Sequence, residues 1–167
     1  MTDRALVVAE LPRLRRYARA LTGDAARADD LVQDTLERAL SRWNLWRAGS
    51  NLRAWLFAIM HNVFVNQIKA GRRIDYYGDE DAPPEPETRA TQSDALELGD
   101  LAKALQRLPA EQREVLLLIA LEELSYGDAA KALGIPIGTV MSRLSRARER
   151  LRGLLAGEEP ALLKVVK

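Results

Sequence analysis

Residues 124–152 read LSYGDAAKALGIPIGTVMSRLSRARERLR, and their punctuation decides how the chain folds. Ser125 and Asp128 stand at capping-box spacing and open a short helix carrying Ala129, Ala130 and Leu133. Gly134 permits a positive φ, and Pro136 prevents that helix from continuing. A second helix starts near Gly138 and Thr139, with Val140, Leu144, Ala147 and Leu151 on its inner face. Small residues at a helix crossing, followed by a tight glycine turn, are what a helix-turn-helix needs. The outer face carries Arg143, Arg146, Arg148, Arg150 and Arg152, with Glu149 its single acid. In a major groove such arginines meet phosphates or guanine edges, and Ser142 and Ser145 can reach bases or phosphates. Arginines alone would read as a solvated face; the helix-turn-helix before them turns the reading to DNA.

Upstream, Leu98, Leu101, Ala102, Leu105 and Leu108 recur at helical steps. Pro109 suits the first turn of the next helix, with Glu111 at the positive end of its dipole. The body of that helix, EQREVLLLIALEEL, is apolar around most of its circumference and predicts the buried centre of a small bundle. Before it, residues 75–95 (DYYGDEDAPPEPETRATQSDA) lack periodic apolar positions and have an acidic, Pro-rich linker composition.

The first half is also helical. Leu11, Leu14, Tyr17, Ala18 and Leu21 share a face, Gly23 stops that helix, and Asp24 caps the next. Leu31, Val32, Thr35, Leu36, Ala39 and Leu40 form a second stripe. A break at residues 47–50 precedes a third, marked by Trp55, Leu56, Ile59, Met60, Val63, Phe64 and Ile68. No alternating β-branched run appears, so the expected fold class is all-α: two small helical domains joined by a flexible acidic linker.

These stretches resemble bacterial RNA polymerase sigma factors of the extracytoplasmic-function (ECF, group 4) subfamily. LSYGDAAKALGIPIGTVMSRLSRARERL looks like their region 4.2, and LQRLPAEQREVLLLIALEEL is similar to region 4.1. ADDLVQDTLERAL resembles region 2.2, and NLRAWLFAIMHNVFVNQIKAGRR resembles regions 2.3 and 2.4. The likeness spans residues 8–155, with both signatures in family order. It implies sigma region 2 over residues 1–73, a linker over 74–96, sigma region 4 over 97–157 and a tail over 158–167.

The resemblance also implies roles. Asp30, Leu31, Gln33, Asp34 and Glu37 fall to polymerase binding, on the β′ clamp helices. The β flap is the other contact expected on the core enzyme. Asp30, Asp34 and Glu37 can share a helix face and meet a basic partner. Capture of the melted −10 element falls to Trp46, Asn51, His61, Asn62, Asn66, Lys69, Arg72 and Arg73. Reading of the −35 element falls to Thr139, Met141, Ser142, Arg143, Ser145 and Arg146. Met141 stands where relatives often carry Lys or Arg. The acids Asp79, Glu80 and Asp81 imply an RNA-like stretch towards the polymerase cleft. The implied partners are core RNA polymerase, promoter DNA and an anti-sigma factor.

Composition narrows the field further. Cysteine is absent and His61 is the single histidine, which argues against thiolate chemistry, histidine metal clusters and catalytic triads. No phosphate loop or nucleophile–base set is visible, so neither an enzyme nor a cofactor is expected. The N-terminus lacks a signal-peptide core and no run reaches membrane-spanning length, so a cytoplasmic protein without membrane insertion is expected. The alternative is a stand-alone helix-turn-helix regulator binding duplex operator DNA.

Overall fold

The computed structural model describes residues 3–78 and 93–157, with side chains over 4–71 and 99–157. Most of the stretch read as a linker (79–92) and the tail (158–167) lie outside the described residues, and with them Asp79, Glu80 and Asp81. Seven α-helices and no strand occur among the described residues.

Helix α1 (Asp3–Thr22) buries Leu14, Tyr17, Ala18 and Leu21. It ends because Gly23 takes φ +70°. Asp24 then caps α2 (Ala25–Ser41), its side chain accepting from the Arg27 N–H at 3.1 Å. Ala28, Leu31, Val32, Thr35 and Ala39 face inward from α2. Leu40, expected on that stripe, is instead 48% exposed, because one further residue turns it off the buried face. A 3₁₀ turn (Trp43–Leu45) and a loop lead to α3 (Leu52–Gly78). Asn51 opens α3 by accepting from the Ala54 N–H at 3.1 Å. The helix continues through Gly71, past the expected boundary at residue 73. Leu56, Phe57, Ile59, Met60, Val63 and Phe64 fill the core beneath it.

In the second half, α4 (Ser93–Arg107) begins inside the stretch read as linker. Its buried side is Ala104 and Leu105, with Leu108 just beyond; Leu101 and Ala102, expected on the stripe, are exposed. Pro109 precedes α5 (Ala110–Leu116), which runs on as a π-helical turn (Leu117–Leu121). The Glu122 N–H donates to Leu117 O at 3.0 Å, and Glu123 follows with φ +58°. Ser125 caps α6 (Tyr126–Leu133), accepting from the Asp128 N–H. Gly134, at φ +65°, turns the chain into α7 (Ile137–Leu155). Val140, Leu144 and Ala147 pin α7 to the core.

The two halves meet directly. Helix α1 packs on α4, α5 and the π turn, and α3 packs on α6. Their buried side chains form one continuous apolar cluster. Among the described residues, no helix is long and apolar enough to cross a membrane.

Candidate nucleic-acid and polymerase interface

Helix α7 is held by one buried stripe, which divides its exposed surface into two flanks. Thr139, Arg143, Arg146 and Arg150 follow at helical steps on one side. Met141, Ser145, Arg148 and Arg152 follow on the other, bordering a groove of about 380 Å³ that Tyr126 closes from α6. Met141 is 52% exposed, and Ser142, Ser145 and Arg146 are also exposed; Thr139 and Arg143 are half-buried. An exposed helix carrying hydroxyls and guanidinium groups over a rigid two-helix corner has the composition and the accessibility for groove contacts.

A second groove, of about 560 Å³, runs between α2 and α3. Asp34, Glu37 and Arg38 line one side, and Asn66 and Gln67 the other. Gln67 Nε2 donates to Asp34 Oδ2 at 3.1 Å across it. Asp30, Gln33, Asp34 and Glu37 are exposed. Leu31 is fully buried; it lies in the core and offers no surface to a partner. Along α3, Asn62, Asn66 and Lys69 are exposed. Arg72 and Arg73 fall in its last turns, outside the described side chains.

Trp43, Trp46 and Trp55 form an aromatic cluster at the corner before α3, with ring centroids 4.9 and 5.9 Å apart. The cluster holds Trp46 half-buried, its indole N–H without a hydrogen-bond partner in the described structure.

The remaining two residues expected at DNA lie against the second half of the chain. His61 Nδ1 is 2.6 Å from Glu114 Oε2, and Asn51 Nδ2 donates to Asp128 Oδ2 at 3.2 Å. Around them stands a set of polar contacts that composition and periodicity did not single out. Arg16 reaches both carboxylate oxygens of the fully buried Glu122 at 3.1 Å, and Arg13 stands 3.7 Å away. Arg113 donates to Leu105 O, Gln106 O and Leu108 O, closing the end of α4, and to Leu21 O at the end of α1. Burial lowers the Arg113 guanidinium from its ordinary value, with Glu114 opposing. The signal for this set is that Glu114 and Glu122 stand at either end of the apolar run over residues 115–121.

Residues 7–61 match the family of the sigma2 domain of PhyR, and residues 98–151 match sigma-70, region 4. The ECF RNA polymerase sigma factor EcfG of Rhodopseudomonas palustris is 42% identical over 149 residues, covering 89% of this chain and 82% of its own. The chain belongs to the ECF RNA polymerase sigma factors. The sigma factor SigL of Mycobacterium tuberculosis is 38% identical over 83% of this chain and 80% of its own. The sigma factor RpoE of Bartonella quintana, solved in complex with the anti-sigma factor NepR, superimposes with a TM-score of 0.81. It is 40% identical, covering 93% of this chain and 98% of its own. CnrH, solved with the cytosolic domain of CnrY, gives a TM-score of 0.67 at 28% identity over 93% of this chain and 88% of its own. Sigma factors are transcription regulators rather than enzymes.

Proposed function

We infer that this protein binds core RNA polymerase and directs initiation at promoters of its own class. Its α2 face (Asp30, Gln33, Asp34, Glu37) docks on basic elements of the clamp. Asn62, Asn66 and Lys69 of α3, with Trp46 and the loop to Asn51, take the melted −10 strand. Thr139, Met141, Ser142, Arg143, Ser145 and Arg146 of α7 take the −35 element. The core enzyme holds the metal ions and adds nucleotides, while the sigma factor supplies sequence recognition. An anti-sigma factor controls it, a reading supported by a relative solved with such a partner.

The observation carrying this reading is the pair of separate exposed surfaces in one family-matched chain: a hydroxyl- and arginine-bearing helix, and an acidic α2 beside a polar α3. Substitutions separate the two. Arg146→Ala should lower −35-dependent run-off transcription by about five- to a hundredfold, a loss of about 1–3 kcal/mol, while core binding is kept. Asp34→Arg should weaken core binding itself, read by fluorescence anisotropy. Equal loss of core binding in both variants would contradict the division. A stand-alone regulator would instead bind duplex DNA tightly with no polymerase present.

A further inference from the structure

We propose that Met141 reads one thymine of the −35 element through its 5-methyl group, which makes the flank of α7 that bears it a selector for that base. The inference deepens the promoter reading above and rests on it for the presence of a duplex along α7.

The observation that carries it is an apolar patch on an otherwise polar reading helix. Met141 is 52% exposed, Ile137, one turn before it, is 50% exposed, and Tyr126 of α6 is 38% exposed. A spacing of four residues puts Ile137 and Met141 on one side of α7. Met141 and Tyr126 line the same groove, together with the buried Leu144. Exposed apolar side chains are ordinary when scattered, but three that adjoin through Met141 mark a contact surface. Packing does not require the arrangement. Met60, on α3, shows where this chain puts a methionine that serves the core: it is fully buried.

Charge decides what covers the patch. Helix α7 carries Arg143, Arg146, Arg148, Arg150 and Arg152 against a single acid, Glu149. Among the described residues, no ion pair engages any of these arginines. A surface of that sign takes a polyanion, and a duplex supplies phosphates along both walls of the groove in which the helix settles. The apolar patch must then meet an apolar group inside that groove. Base edges in the major groove offer one, the 5-methyl of thymine; guanine, adenine and cytosine are read there by their donors and acceptors. A thioether donates no hydrogen bond and accepts only weakly, so Met141 cannot hold guanine O6 and N7 as an arginine or lysine would. Its unbranched chain adapts to a methyl whose position the DNA sets. Place on the helix agrees with this role. Met141 lies in the second turn of α7, and the N-terminal part of the second helix is what a helix-turn-helix brings to base edges.

The test uses the full chain with core RNA polymerase on a promoter recovered from a library, with the −35 thymines of either strand replaced one at a time by deoxyuridine. That replacement removes a methyl and leaves every hydrogen-bonding group in place. At one position the wild-type protein should lose promoter affinity by about three- to tenfold, the effect of one buried methyl. Met141→Ala should respond to deoxyuridine at that position by less than about twofold. Met141→Leu, still apolar, should keep the response. Arg146→Ala should weaken binding to both templates by the same factor, leaving their ratio unchanged. Met141 is exposed, so these substitutions leave the core untouched. The assignment is overturned if no −35 thymine responds to loss of its methyl, or if Met141→Ala keeps the full response. An equal loss of affinity by Met141→Ala on both templates would put the patch on a polymerase surface and overturn it as well. Promoter-specific starts persist in each of those cases. Their absence with the wild-type protein on every thymine template would defeat the promoter reading, and the methyl assignment with it.

Discussion

Gly23 joins the two halves of the molecule at the scale of a single residue. It ends α1 at φ +70°, and a β-carbon there would stand 2.6 Å from the side chain of Gln106. Gln106 is the residue that donates to Ala20 O. Gly23→Ala should therefore lower stability by about 1–3 kcal/mol in urea unfolding. Gly23 was legible as a helix stop, because a left-handed residue after an apolar stripe is a local signal. Its closeness to Gln106 was not legible, since that contact joins positions far apart in the chain. His61 illustrates the same limit. Its position on the third helix could be read, but its carboxylate partner, 53 residues away, could not.

Among elements, the helix-turn-helix was the most legible, because every signal in it is local. Ser125, Gly134 and Pro136 each act on the backbone within a few residues, and each stands where those signals place it. Ser125→Ala should cost about 1 kcal/mol by removing the cap from an eight-residue helix, and −35 binding should weaken more than core binding. Leu144→Ala, on the buried stripe of α7, should cost about 2–5 kcal/mol and lower the melting temperature. Stripes were less reliable where two faces compete. Leu101 and Ala102 fit a helical repeat as well as Ala104 and Leu105 do, and only packing against the rest of the molecule decides which pair is buried. Leu31 shows the converse: a family role placed it at an interface, and its own position on the buried face of α2 removes it. Nor could a π-helical turn be foreseen in LLIAL, an apolar run that reads as ordinary helix.

On the scale of the whole molecule, two helical halves are a sequence property and their closure is a structural one. Family order, an acidic interval and two periodic stretches suffice for the first. The second depends on Arg16, His61, Arg113, Glu114 and Glu122 meeting across the chain, in contacts between distant positions that no local signal marks. The most direct measurement is run-off transcription with purified core RNA polymerase on a promoter library, with and without the protein. Specific starts that appear only when the protein is added, with enriched sequences at both the −10 and the −35 positions, are the predicted result. No added starts, together with tight binding of duplex DNA in the absence of polymerase, would contradict it.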